Sequence, residues 1–376
     1  MLPLSAIDAI GPAWTHTRRL LWDNRSWKTM LKIGAVAIFA GIGGVSGGSF
    51  PNMGNMGNLG NTNNAGTTPH WPGSAATILA AIAALAVVLI VVFGIVFLIM
   101  LYIGSRLQFV LFEVVLRSDT TVGPIWRRYG AATWRWIGLR LIFIVAAFLC
   151  MAPMLVPAII QFIHLLHQSG NQPSNAGLLI ATFLGLFAVA FLVAFVFGIV
   201  HILLHDFGLP SMAMESTSIG ETIARVWRLL RHEPGQVSLF LLMRLIFGIA
   251  GAWGANIVIG IAGAIALIPF GLVALLDYAI LHSVGDAGKI IMVAIWVLLG
   301  LLWLALIFIA SFILIGYLIT FIQAYALYFL GGRYPLMGQY LAPYWPRTHM
   351  PAPPPPAFQP PPAPPAPPAF EPPPAI

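Results

Sequence analysis

Two histidines, His201 and His205, stand four residues apart at the end of a long apolar run, and Asp206 follows the second directly. On a helix that spacing puts both imidazoles on one face, where they could hold a metal ion or a haem. The neighbouring sequence supplies no third or fourth ligand, so no metal and no cofactor is expected. The plainer reading has the histidines meeting headgroups and helix-end carbonyls, while Asp206 and Pro210 shape a turn. His201, His205 and Asp206 are therefore carried forward as a candidate polar site.

Gln161, His164 and His167 mark the far end of another apolar run. A proton or solute path needs such groups, although a polar helix end is the simpler account. Lys32, Arg140 and Arg244 lie one to two turns inside apolar runs, where long side chains reach back to headgroups. Together with Arg225, Arg228 and Arg231 they are expected to touch anionic lipid. Asn256 alone falls deep in an apolar run, and a helix-to-helix hydrogen bond is expected for it.

Motifs of nucleophilic or phosphate chemistry are missing: there is no Gly-x-Ser-x-Gly, no His-Glu-x-x-His and no glycine-rich phosphate loop. No catalytic residue is expected, and the chain reads as a non-enzyme. Its 11 acidic residues include none placed at mid-membrane, which counts against an ion-coupled transporter.

The elements that must position these residues follow from composition. In 376 residues, 59% are hydrophobic and 8% charged, with a mean hydropathy of +0.91, which water-soluble domains of this size do not show. The chain reads as an all-α, polytopic membrane protein. Its single cysteine, Cys150, excludes an intrachain disulfide and reads as a small apolar packing residue. A net charge of +7 would suit nucleic acid, but the charges flank the apolar runs, so no nucleic-acid partner is expected.

Six spans are predicted, with three interfacial amphipathic helices. Residues 1–28 form the first interfacial helix, with Ser5 and Asp8 in a capping arrangement, a stripe of Ile7, Ile10, Trp14 and Leu21, and four basic residues. Residues 29–349 form the transmembrane domain. The first span, 29–50, holds Ala40 and glycines at 43, 44, 47 and 48, a spacing that lets helices approach closely. An uncharged Asn/Gly-rich loop follows over 51–73. The apolar run 74–117 is longer than a bilayer requires, so its second half, from Arg106, is expected to leave the membrane and run along the cytoplasmic face, with Glu113 and Arg117 paired.

Residues 121–135 form the second interfacial segment, rich in Arg and Trp. The third span, 137–167, should kink at Pro153 and Pro157. The fourth covers 176–205. Ser218 and Glu221 then signpost a capped helix with Ile219, Ile223, Val226, Leu229 and Leu230 along one face. The fifth run, 240–282, should break at Pro269, and the sixth covers 289–330. In the last 26 residues 15 are proline, so residues 350–376 read as an extended, disordered tail, which could also dock on an aromatic groove of a protein partner.

Seventeen of the 18 basic residues then fall on one side, with Lys289 opposite. By the positive-inside rule both termini are cytoplasmic; the excess of arginine over lysine fits a prokaryote of high GC content, and the expected location is the inner membrane of such a cell. A repeat is also visible. Ser5, Asp8, Ile10, Trp14 and Arg18 recur 213 positions later as Ser218, Glu221, Ile223, Trp227 and Arg231, and the tetrad Arg140-Leu-Ile-Phe143 recurs 104 positions later at Arg244. Three related hairpin units would produce this pattern.

The runs SRLQFVLFEVVLRSDTTVGPIWRRYG, HDFGLPSMAMESTSIGETIARVWRLLRHEPG and YALYFLGGRYPLM resemble the six-helix membrane domain that precedes some glycerophosphoryl diester phosphodiesterases. They are similar also to prokaryotic families of unknown function with the same layout. The resemblance implies an integral membrane domain with no reaction of its own. The phosphodiesterase barrel and its metal ligands are absent, so no hydrolase activity follows. The function expected is that of a non-enzymatic scaffold or lipid-associated accessory protein. The rival is a transporter or channel for a small neutral or lipidic solute.

Overall fold

A segment that leaves water must satisfy its backbone N–H and C=O groups within itself, so the long apolar runs of this chain fold as helices. The computed structural model describes residues 2–23, 27–43, 75–119, 121–168, 176–279 and 285–346, and among these there is no strand. The elements are α1 (Ile10–Arg18), α2 (Trp27–Gly43), α3 (Ala75–Arg117), α4 (Val122–Arg128), α5 (Gly130–Gln168), α6 (Ala176–Leu203), α7 (Leu209–Glu215), α8 (Ile219–His232), α9 (Pro234–Ala266), α10 (Ile268–Ala279), α11 (Gly285–Gly331) and α12 (Pro335–Leu341). Five of them, α3, α5, α6, α9 and α11, are long and apolar enough to cross a membrane. The expected first span lies only in part within the described residues, as α2; the loop 51–73 and the tail 350–376 lie outside them.

Close packing is concentrated at the basic end of the long helices. Phe240 on α9 stacks on Tyr325 of α11 at 5.1 Å and on Phe329 at 4.7 Å, with Phe207 against it at 5.1 Å. Around these fully buried rings lie Trp136, Phe109, Phe112 and Tyr328. Beyond this end the described side chains of α3 from Ala83 to Met100 are all exposed, and so is most of α6 from Ile180 to Val196. Apolar surface of that extent needs lipid or protein to cover it.

The second half of α3 corrects one expectation. It does not run along a surface: residues 107–116 are buried, with Phe109, Val110, Phe112 and Val115 fully enclosed. Helices α2, α4, α5, α7, α11 and α12 surround it, and its two polar side chains are buried on partners from those helices, Gln108 on Trp136 and Arg140 and Glu113 on Arg128. Glu113 and Arg117 do pair, at 3.4 Å, and Arg128 of α4 joins the same carboxylate.

Other elements follow their local chemistry. At α8 both halves of the capping box form: the Ser218 hydroxyl accepts from the Glu221 N–H, and the Glu221 carboxylate accepts from the Ser218 N–H at 2.9 Å. Ser5 accepts from the Asp8 N–H at 3.1 Å in the turn before α1. α9 ends at Ala266, with Leu267 as its C-cap two residues before Pro269, whose missing N–H cannot continue the ladder. α5, in contrast, continues as one helix through Pro153 and Pro157. Close approach of α2 and α11 is made at Gly34 and Gly41, while Gly44, Gly47 and Gly48 of the expected stripe lie outside the described residues.

Candidate functional site

Where α6 meets α7 the chain widens into a π-helical turn, Leu204–Gly208. Such a turn shifts the register of the side chains that follow it and recurs at functional sites. Here it turns Asp206 fully inward, 1% exposed, against Arg244 of α9. Arg244 Nη2 donates to Asp206 Oδ1 at 2.9 Å, and its Nε stands against Oδ2 as a second contact of the ion pair. His205 Nδ1 is 2.8 Å from Asp206 Oδ1, and the His201 ring stacks on that of His205 at 6.3 Å.

Arg140 of α5 joins this cluster from the other side. It is 5% exposed, donating to Ser105 Oγ at 3.0 Å and to Gln108 Oε1 at 2.6 Å. Its guanidinium lies 5.2 Å over the Trp136 ring, and Trp136 Nε1 donates to the same Gln108 oxygen at 2.8 Å. The amide of Gln108 is fully engaged, since its Nε2 donates to the Ala40 carbonyl of α2 at 3.0 Å. A polar layer thus runs from α2 through α3 and α5 to α6 and α9.

The expected polar site at His201, His205 and Asp206 is brought together, and it is larger than expected. Arg140 and Arg244 take a different place from the one assigned to them. Both guanidinium groups turn inward to protein partners instead of outward to headgroups, because a buried carboxylate and a buried amide offer stronger hydrogen bonds there. On α8, Arg228 is exposed, Arg231 lies over its own neighbour Trp227 at 5.0 Å, and Arg225 pairs with Glu215 at 2.6 Å. Lys32 is exposed on α2. Asn256 differs as well: its Nδ2 donates to the Ala252 carbonyl one turn back in α9, at 2.8 Å, and not to another helix. Gln161 and His164 are exposed on α5, and the side chain of His167 is outside the described residues.

The sequence alone does not mark Gln108, Ser105, Trp136 and Gln323 as site residues; for Gln323 the one signal is an amide side chain near the end of the last apolar run. Gln323 is 5% exposed, and its Nε2 has no acceptor among the described residues. It borders a cavity of about 290 Å³ between α2, α3, α6, α9 and α11, which His205 and Arg244 also line. Among the described residues no group of three or more His, Cys, Asp and Glu side chains could hold a metal ion.

These features define an all-helical protein of membrane type with a buried arginine–carboxylate–histidine cluster beside an interhelical cavity. The chain belongs to DUF7544, a family of unknown function, which it matches over residues 4–339. No curated protein and no solved structure matches it. Of the two resemblances, the one to families of unknown function is the one this match supports, and nothing found links the chain to the glycerophosphoryl diester phosphodiesterases.

Proposed function

We propose that this protein is a lipid-associated membrane scaffold or accessory protein without catalytic activity. In this reading six helices cross a prokaryotic cell membrane, α2 being the first, and both termini lie in the cytoplasm. α1, α4 and α8 form a basic interfacial layer, each leading one of the three related hairpin units of the bundle. The observation that carries the reading is the distribution of exposed tryptophans. Six described tryptophans are at least half exposed, and five of them, Trp14, Trp22, Trp27, Trp134 and Trp227, ring the packed, basic end of the helices, while Trp253 lies further along α9. Amphipathic rings beside cations, below an unbroken apolar surface, match the chemistry of a headgroup layer.

Two measurements test it. Replacing Arg225, Arg228 and Arg231 together by Gln should weaken association of the reconstituted protein with anionic liposomes; unchanged association removes the headgroup role. In a Cys150→Ser background, Asn58→Cys and Asn171→Cys should react with an impermeant thiol reagent on intact cells, whereas Ser218→Cys should not. Chain ends mapped to opposite faces of the membrane would overturn the topology.

A further inference from the structure

We infer that the cavity between α2, α3, α6, α9 and α11 is a specific site for the phosphate headgroup of an anionic phospholipid. This deepens the lipid-associated reading and rests on it. The cavity has a polar end and an apolar end, as an amphiphile requires. At the polar end Arg244 engages Asp206 through Nε and Nη2, which leaves Nη1 unused by that pair. Gln323 stands in the same wall, buried, with an amide N–H that finds no acceptor among the described residues. A buried donor left without a partner is unfavourable, and no bulk water is present at membrane depth to meet it. A ligand oxyanion accepting from both the guanidinium and the amide removes that penalty, and a charge-assisted bond to arginine favours phosphate.

The apolar end gives the ligand its second property. Leu245, Ile249 and Trp253, at successive turns of α9, line the cavity, yet they are 45%, 54% and 72% exposed on the outer face of that helix. The wall therefore passes without interruption from the cavity to the surface that faces lipid. A volume of about 290 Å³ admits a headgroup but not two acyl chains, so the chains lie outside along this ridge. Gly248 also lines the cavity, and a Cβ added there would meet nothing within 4 Å, so a larger side chain has room to enter.

The test uses the full chain in detergent, titrated with phosphatidylglycerol and followed by native mass spectrometry. Separate arms contain phosphatidylcholine of the same acyl chains and inorganic phosphate alone. The wild type should retain one phosphatidylglycerol in preference to phosphatidylcholine and should not retain inorganic phosphate. Gln323→Leu, close in volume but without the donor, should weaken that binding about tenfold. Gly248→Phe, whose ring enters the cavity, should abolish it. Gel filtration and thermal unfolding confirm that each variant is folded. Equal binding by wild type and both variants, equal binding of the two lipids, or binding of inorganic phosphate in place of lipid would each overturn the site. The Arg225/Arg228/Arg231→Gln variant separates the two proposals: it should lose liposome association and keep the single bound lipid. Retained liposome association in the Arg225/Arg228/Arg231→Gln variant, with loss of selectivity in Gln323→Leu, would sink the surface role alone.

Discussion

Gly34 of α2 and Gly316 of α11 meet backbone to backbone: a methyl group added at Gly316 would lie 2.4 Å from the Cα of Gly34. The reciprocal methyl on Gly34 would meet the Phe312 carbonyl oxygen equally closely. No side-chain rotation relieves either clash, so the helices themselves would have to separate. Gly316→Ala should therefore lower stability by about 1–3 kcal/mol, the usual effect of overpacking. Gly254→Ala is the control, since a Cβ there meets nothing within 4 Å, and it should be neutral or slightly stabilising. Thermal unfolding of both variants in one detergent checks the contrast.

The Asp206–Arg244 pair makes a second expectation. Arg244→Gln leaves a carboxylate that is 1% exposed without its cation, and breaking a buried pair from one side destabilises by about 3–5 kcal/mol. The double variant Asp206→Asn with Arg244→Gln should recover a large part of that loss, because no uncompensated charge remains. A double-mutant cycle on unfolding midpoints measures it, and a double variant as unstable as the single one would refute the pairing.

His16 should make stability depend on pH. Its Nε2 lies 2.8 Å from the Val115 carbonyl, its Nδ1 faces the Tyr328 hydroxyl at 3.3 Å, and Tyr344 packs on its ring. Burial pushes its pKa below the ordinary 6.5; the Val115 carbonyl opposes this and Arg19 adds to it. As pH falls through 6.5 the unfolded chain takes up the proton first, so the contribution of neutral His16 is full above 6.5 and is lost progressively below it. The unfolding midpoint should fall between about pH 7.5 and about pH 5, and His16→Gln should flatten that part of the profile.

The cap of α8 is open to a local test. Ser218→Ala removes the acceptor for the Glu221 N–H and should weaken the helix start by about 1 kcal/mol. Amide exchange should accelerate at residues 219–222 and remain unchanged in α9.

These expectations divide by sequence separation. The Ser218–Glu221 box was legible because its two members are three residues apart and any helix start brings them together. The pairing of Glu113 with Arg117 was legible for the same reason. Arg140 and Gln108 are 32 residues apart on different helices, and hydrophobic periodicity says which residues face inward but not which helices adjoin. Lacking that order, an arginine inside an apolar run reads as a side chain reaching for headgroups. The second half of α3 was misread on the same ground: Gln108, Glu113 and Arg117 mark a surface helix by type, whereas their partners Trp136, Arg128 and Tyr340 come from elsewhere in the chain. His201, His205 and Asp206 could be found because they are contiguous; Gln323 gained meaning only from the wall it shares with Arg244.

Tight packing at one end of the helices and open spacing at the other has a mechanical consequence. In a bilayer, a body dense at one depth and sparse at another displaces unequal areas of the two leaflets, so its fit depends on how far the membrane is bent. Lateral pressure would then act chiefly on the sparse half, leaving the aromatic keystone of Phe240, Tyr325 and Phe329 to hold the geometry of the polar layer beside it.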